Sequence, residues 1–383
     1  MYEFSIPMPY SKEQADKLIK LNNEIQKSKI TSLYFGLPSS NELFTGFEQR
    51  RNFLLKETRF DFWQELIKYY IDKGFEIIYC LNSPRAIPIE SSDFPIMKER
   101  LDKLLQKFID LKVKKLRVAN PRLLFYINKN YPYFDLYGST ASDYKIIQEF
   151  QNLKQIHPYL KQIVPSHNAN KNFTLLKNIK KLGFDVEIMV NEGCITGCSN
   201  RLEHESVFID NNYENFDKNN DFSISFCKFH CSKLQKENPI FYITCANHIY
   251  PWEIEEYSKI GINKFKLNGR DSLHDYYDSS YVVNMYGKYL RGIESFKKTE
   301  DVEIADFVWN FACKRELKNL KVKDVKHLLP DIKYFAKKGD LCSSYCGIKC
   351  RYCYKCAEKI QKVFWAKQNT NRRQPVLACK ITK

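Results

Sequence analysis

The feature that most restricts this chain is an alternation: eight short apolar runs rich in β-branched and aromatic residues, separated by longer, Lys-rich amphipathic stretches. The runs are Ser32–Gly36, Glu76–Leu81, Lys115–Val118, Tyr133–Tyr137, Gln162–Val164, Asp185–Val190, Phe241–Thr244 and Lys264–Leu267. A few such residues between turn signals read as a strand, whereas apolar positions recurring three and four apart form one stripe of a helix. Phe60–Lys73, Ile96–Leu111, Ala141–Leu153 and Asn172–Leu182 carry that helical spacing. Ser142-Asp143 and Asn170 stand where capping side chains accept orphan amides, and Gly74 and Gly183 where helices end on a glycine. Repeated strand–helix units with eight strands predict an α/β fold of the β/α, TIM-like barrel type. An open doubly wound sheet would produce the same local pattern.

In such a barrel the loops after the strands converge over one mouth, where the chemistry sits. Here those loops are polar: Asn82-Ser83-Pro84-Arg85, Ala119-Asn120-Pro121, Gly138-Ser139-Thr140, Pro165-Ser166-His167-Asn168, Asn191-Glu192-Gly193-Cys194 and Asn268-Gly269-Arg270. Plain turns use the same residue types, so a single loop of this kind means little. Six together describe a lined mouth. Past Gly292 the pattern changes to a charged stretch, then helix-like segments from Ile304 to Lys338, then a cysteine-dense tail. This predicts a barrel over 1–296 and a small helical, cysteine-rich extension over 297–383, in keeping with 383 residues.

Thirteen cysteines without a basic-then-apolar leader in Met1–Tyr10 predict a cytoplasmic protein whose thiols bind metal rather than pair as disulfides. No run is long and apolar enough to span a membrane. The formal charge of +16 is the kind of balance that attracts RNA, although Lys, Asn and Ile are abundant everywhere and no RNA-binding motif appears.

The cysteines fall into two groups. Cys194 and Cys198, Cys227 and Cys231, and Cys245 give two C-x-x-x-C pairs and a fifth thiol, and four of these five would complete a metal centre. Four thiolates suit structural zinc or a cubane iron–sulfur cluster. A position directly after a strand favours the cluster. Cys80 and Cys313 read as small buried apolar residues. The second group is Cys342, Cys346, Cys350, Cys353 and Cys356, which predicts a second Fe–S cluster or a zinc site. Its Cys346-Gly347-Ile348-Lys349-Cys350-Arg351-Tyr352-Cys353 matches the triad of radical S-adenosylmethionine enzymes. That triad belongs after the first barrel strand, however, and here it follows the last.

The run Val190-Asn191-Glu192-Gly193-Cys194 to Cys198, with Arg201 and His204, resembles a branch of the collagenase-like peptidase U-32 superfamily. His248-Ile249-Tyr250-Pro251-Trp252-Glu253 to Tyr257, then Gly261-Ile262 and Phe265-Lys266-Leu267-Asn268-Gly269-Arg270, looks like that branch's second signature. The resemblance covers roughly residues 30 to 295, and the tail is similar to tails of the same branch. It implies a β/α barrel holding a four-Cys 4Fe–4S cluster. It also implies oxygen-independent hydroxylation, of RNA bases or a quinone precursor, rather than proteolysis. The longer cysteine motif of the peptidase-named branch is replaced here by the compact Gly193-to-Cys198 form.

These readings make the chain an iron–sulfur oxidoreductase acting on a small organic substrate or RNA, with a same-superfamily partner chain as a further expectation. Glu192 and His204 are the candidate proton-transfer groups, with Arg201 and Arg270 as catalytic cations. Arg85 and Asn191 are candidate cofactor-site residues. The alternatives are a peptidase, against which no Gly-x-Ser-x-Gly or His-Glu-x-x-His occurs, and a zinc-containing RNA-binding protein without catalysis.

Overall fold

In a computed structural model the described residues are 1–38, 41–48, 59–84, 94–192, 197–198, 201, 237, 239–245, 247–268, 279–307, 317–338 and 350–368. Eight parallel strands close into a barrel in sequence order. They are β1 (Tyr2–Pro7), β2 (Ser28–Phe35), β3 (Glu76–Leu81), β4 (Lys115–Val118), β5 (Asp135–Gly138), β6 (Gln162–Ile163), β7 (Asp185–Met189) and β8 (Lys264–Lys266). β1 seals the ring by pairing with both β2 and β8. The crossovers include α1 (Lys12–Glu24), α2 (Phe60–Asp72), α3 (Phe94–Asp110), α4 (Pro121–Asn130), α5 (Ile147–Ile156) and α6 (Phe173–Lys181). Then come α7 (Pro239–Cys245), α8 (Ile254–Ser258), α9 (Ser279–Glu294), α10 (Val322–Val325), α11 (Ile332–Lys338) and α12 (Tyr352–Gln368).

Alternation along each strand splits the side chains between two environments. Phe4, Leu33, Ile77, Leu116, Ile188 and Phe265 belong to one core between strands and helices. The intervening positions point into the barrel, where Tyr34, Ile78, Cys80 and Tyr137 form a separate apolar cluster. Charged groups share that interior. Arg117 on β4 is fully buried and ion-pairs with Glu187 on β7, whose other oxygen accepts the Ser5 hydroxyl at 2.5 Å. Lys266 on β8 lies 4.2 Å above the Tyr34 ring, and the Tyr34 hydroxyl donates to the Leu267 carbonyl at 2.7 Å.

Several expectations need correction. Phe241–Thr244 is not a strand but the body of α7, because the run starts at Pro239 and Thr244 Oγ donates back to the carbonyls of Ile240 and Phe241. The eighth strand is instead Tyr2–Pro7, so the Asn191 loop follows the seventh strand and not the sixth. The expected helix Ala141–Leu153 breaks at Asp143, which adopts a left-handed conformation (φ 54°) after a 3-10 turn, and α5 starts only at Ile147. Asn172, not Asn170, caps α6, accepting from the Leu175 amide at 3.0 Å. Gly74 and Gly183 do take positive φ just past α2 and α6.

Candidate functional site

The rim at the strand C-termini is tied together by asparagines. Asn191 and Asn268, each two residues past the ends of β7 and β8, exchange two hydrogen bonds: Asn191 Nδ2 to the Asn268 carbonyl at 2.8 Å, and the Asn268 amide to Asn191 Oδ1 at 2.6 Å. Asn170 Nδ2 donates to the carbonyls of Met189 (2.8 Å) and Asn247 (2.7 Å). Asn168 Oδ1 accepts from the Gly197 amide at 2.9 Å and from Asn247 Nδ2 at 3.3 Å. One carboxamide oxygen thus joins the residue before Cys198 to the residue two after Cys245. Apart from the exposed Gly197 bond, these contacts lie at buried or half-buried polar atoms, so the loops are held by satisfied polar contacts.

Beside this bridge sits a buried ionic cluster. Arg201 Nη2 stands 3.4 Å from Glu192 Oε2, and Arg201 Nε stands 4.0 Å from Asp143 Oδ1. Ser166 Oγ donates to the same Asp143 oxygen at 2.5 Å. The loops after β5 and β7 therefore meet on one guanidinium, and the loop after β6 joins them through Asp143. A non-glycine residue in the left-handed region stores strain that surrounding contacts must hold, and such residues concentrate at functional sites. Asp143 is held by Ser166, Arg201 and Lys145. His248, on the chain returning from α7, is buried edge-to-face on Tyr250 with centroids 4.5 Å apart. Burial pushes its imidazole well below the usual range, with the nearby Lys171 ammonium adding to the shift, so the ring is neutral at pH 7.

Of the residues singled out in the sequence, Asn191, Glu192, Arg201 and Cys198 come together at this rim. Cys245 closes α7, and its backbone alone is described. Cys194, Cys227, Cys231, His204, Arg270 and Arg85 lie outside the described residues, as do Cys342, Cys346 and Cys313. Cys350, Cys353 and Cys356 are buried, with the Cys350 sulfur 3.8 Å from the Tyr334 hydroxyl. Among the described residues no three His, Cys, Asp or Glu side chains are grouped to hold a metal ion. Cys80 is a buried apolar residue inside the barrel, as expected. Arg201 lies within ion-pairing reach of two carboxylates, Glu192 and Asp143.

Sequence reasoning missed Asp143 and Asn168 as site residues. Asp143 reads as a helix cap because it follows a serine before an amphipathic stretch. Asn168 looks like turn chemistry. The signal that could have found both is their shared placement after consecutive strands, β5 and β6.

No protein-family model matches the chain. Over 197 residues it is 26% identical to a protein of Methanocaldococcus jannaschii described as an uncharacterized protease. That match covers 51% of this chain and 52% of the relative, so it spans about half the length of the curated protein. Among solved structures, the U32 peptidase Mk0906 aligns with a TM-score of 0.47 at 13% identity, covering 70% of this chain and 93% of that one. CpGH84B aligns with a TM-score of 0.35 at 10% identity, covering 97% and 72%. The chain resembles the peptidase U-32 superfamily, as the Asn191–Cys198 loop and the 248–270 stretch indicated.

Proposed function

We propose that this chain is an iron–sulfur enzyme of U-32-like type, carrying out oxygen-independent hydroxylation or a related redox modification of an organic or RNA substrate at the barrel mouth. The observation behind this reading is the Asn168 bridge, which brings the Cys198 loop and the chain leaving Cys245 to one point of the rim. Thiols converging from distant parts of the sequence are the donor set that a 4Fe–4S cluster takes. Cys194 and Cys198 supply two ligands, and two of Cys227, Cys231 and Cys245 supply the others. A cluster there would contribute a Lewis-acidic or electron-donating iron.

The chain's own residues do the rest. Arg201 fixes the Glu192 carboxylate at the rim, and Glu192 moves the proton. Asp143 holds the other side of the guanidinium, so the charge of Arg201 is balanced before substrate arrives. Anaerobic purification with an absorption spectrum and iron and sulfide analysis tests the reading. It predicts a brown protein that loses iron on Cys198→Ala. A protein that contains only zinc, with iron content indifferent to Cys198→Ala, would remove the cluster. A peptidase is the second reading, favoured by the description of the archaeal relative. It predicts cleavage of a peptide library that survives Cys198→Ala.

A further inference from the structure

We infer that the protein has a second ligand site on its flank, separate from the mouth, which takes a single-chain amphiphile with an anionic head. Between α3 and α4 lies a cavity of about 490 Å³, inside the range of roughly 300–1,000 Å³ typical of small-molecule sites. Phe47, Phe94, Leu101, Leu123 and Phe125 form apolar walls.

Its shape follows from the topology. The cavity reaches from Asn120-Pro121, where α4 leaves the rim, to Ile156-His157, where α5 ends at the base of the barrel. Between those ends α4 runs ten residues, ~15 Å. An elongated ligand fits this better than a compact one. Phe125 is 58% exposed and Ile156 65% exposed, so the apolar lining opens to solvent instead of closing into the core.

The charge of the lining sets the head group. Lys98 and Arg122 are its charged residues, and no acidic residue is among those described. Lys98 is neutralised by Asp102 at 2.7 Å. Arg122 makes no ion pair among the described residues, and its backbone sits in the first turn of α4, at the rim end. His157 already engages the Tyr159 hydroxyl through Nδ1 at 2.6 Å. Among the described lining residues Arg122 is thus the one cation without a carboxylate partner, and at one end of a long apolar trough it selects an anion with an apolar tail, such as a medium-chain fatty acid. Phe47 accepts from the Ser83 amide at 2.8 Å, which places this end behind the β3 and β4 loops, across the barrel from the cysteine loop after β7.

The test uses the full chain, with dodecanoate and dodecylamine titrated by calorimetry. Dodecanoate is expected to bind saturably at one site and at least tenfold more tightly than dodecylamine. Arg122→Glu and Phe125→Asp, both at exposed positions, are each expected to weaken dodecanoate at least tenfold while leaving circular dichroism unchanged. Equal binding of the amine, or dodecanoate binding indifferent to Arg122→Glu, would overturn the proposal. So would absence of dodecanoate binding together with self-association that Phe125→Asp abolishes, which would make the trough a contact between copies. None of these outcomes depends on whether the mouth holds a cluster.

Discussion

Arg117 and Glu187 meet inside the barrel with almost no access to water, and Arg117 Nε and Nη1 have no hydrogen-bond partner among the described residues. Desolvating two charges costs much of what their attraction returns, so the pair as a whole adds little, but either member alone would be a stranded buried charge. Arg117→Met is therefore expected to lower stability by about 3–5 kcal/mol. The double variant Arg117→Met/Glu187→Met should recover at least half of that loss, as read from urea midpoints. At the rim the expectation is different. Asn168→Ala removes two hydrogen bonds worth roughly 1 kcal/mol each. Its larger effect, if the proposed cluster is present, is a loss of iron per chain, because the Cys198 loop and the chain after Cys245 are no longer held to one oxygen.

His157 ends α5, donating its amide to the Leu153 carbonyl at 2.8 Å, and burial depresses its imidazole below the usual range. A base whose folded-state pKa is lowered is neutral in the fold and protonates more readily when unfolded. Its contribution is therefore fully present above the unfolded value of about 6.5 and is lost as pH falls below it. Melting temperature should drop between pH 7.5 and 5.5, and His157→Gln should make that drop shallower. At this scale much was legible beforehand. The helical stripes of α2, α3 and α6 lie within two residues of their expected bounds, because long amphipathic periodicity has few rival readings. Short runs do have rivals. Phe241–Thr244 is apolar enough for a strand, and only Pro239 and the back-bonding Thr244 hint at a helix. β1 escaped notice for the opposite reason: Glu3 and Ser5 make it look half-exposed, yet Ser5 faces a barrel interior that is itself polar. Among the rim residues, Asn191, Glu192 and Arg201 were legible because they flank a cysteine motif. Asp143 and Asn168 were not, because only the closed ring brings loops after different strands together.

Across the whole molecule, the C-terminal elements pack onto the barrel at several points, the helix that leads to Cys245 among them. The Phe241 ring on α7 lies 5.3 Å from Tyr354 on α12, next to Cys353. Tyr334 and Tyr352 pack at 4.1 Å, and Lys171, just before α6, lies 5.2 Å over the Phe335 ring. Lys326 sits 3.6 Å over Phe296 and 5.3 Å from Trp252, with burial lowering its pKa. Through Tyr354 the tail also buttresses α7. Aromatic pairs of this kind carry about 0.5–1.5 kcal/mol beyond their buried area, so a double-mutant cycle of Phe241→Leu and Tyr354→Leu should return a coupling in that range from denaturation midpoints. A coupling near zero would mean that the two helices touch without stabilising each other. If α7 also positions Cys245 for the proposed cluster, Tyr354→Leu should speed iron loss in air more than an equally destabilising change at Tyr69, far from the rim. Equal rates for the two variants would separate the tail from the mouth, leaving its cysteines to serve the extension alone.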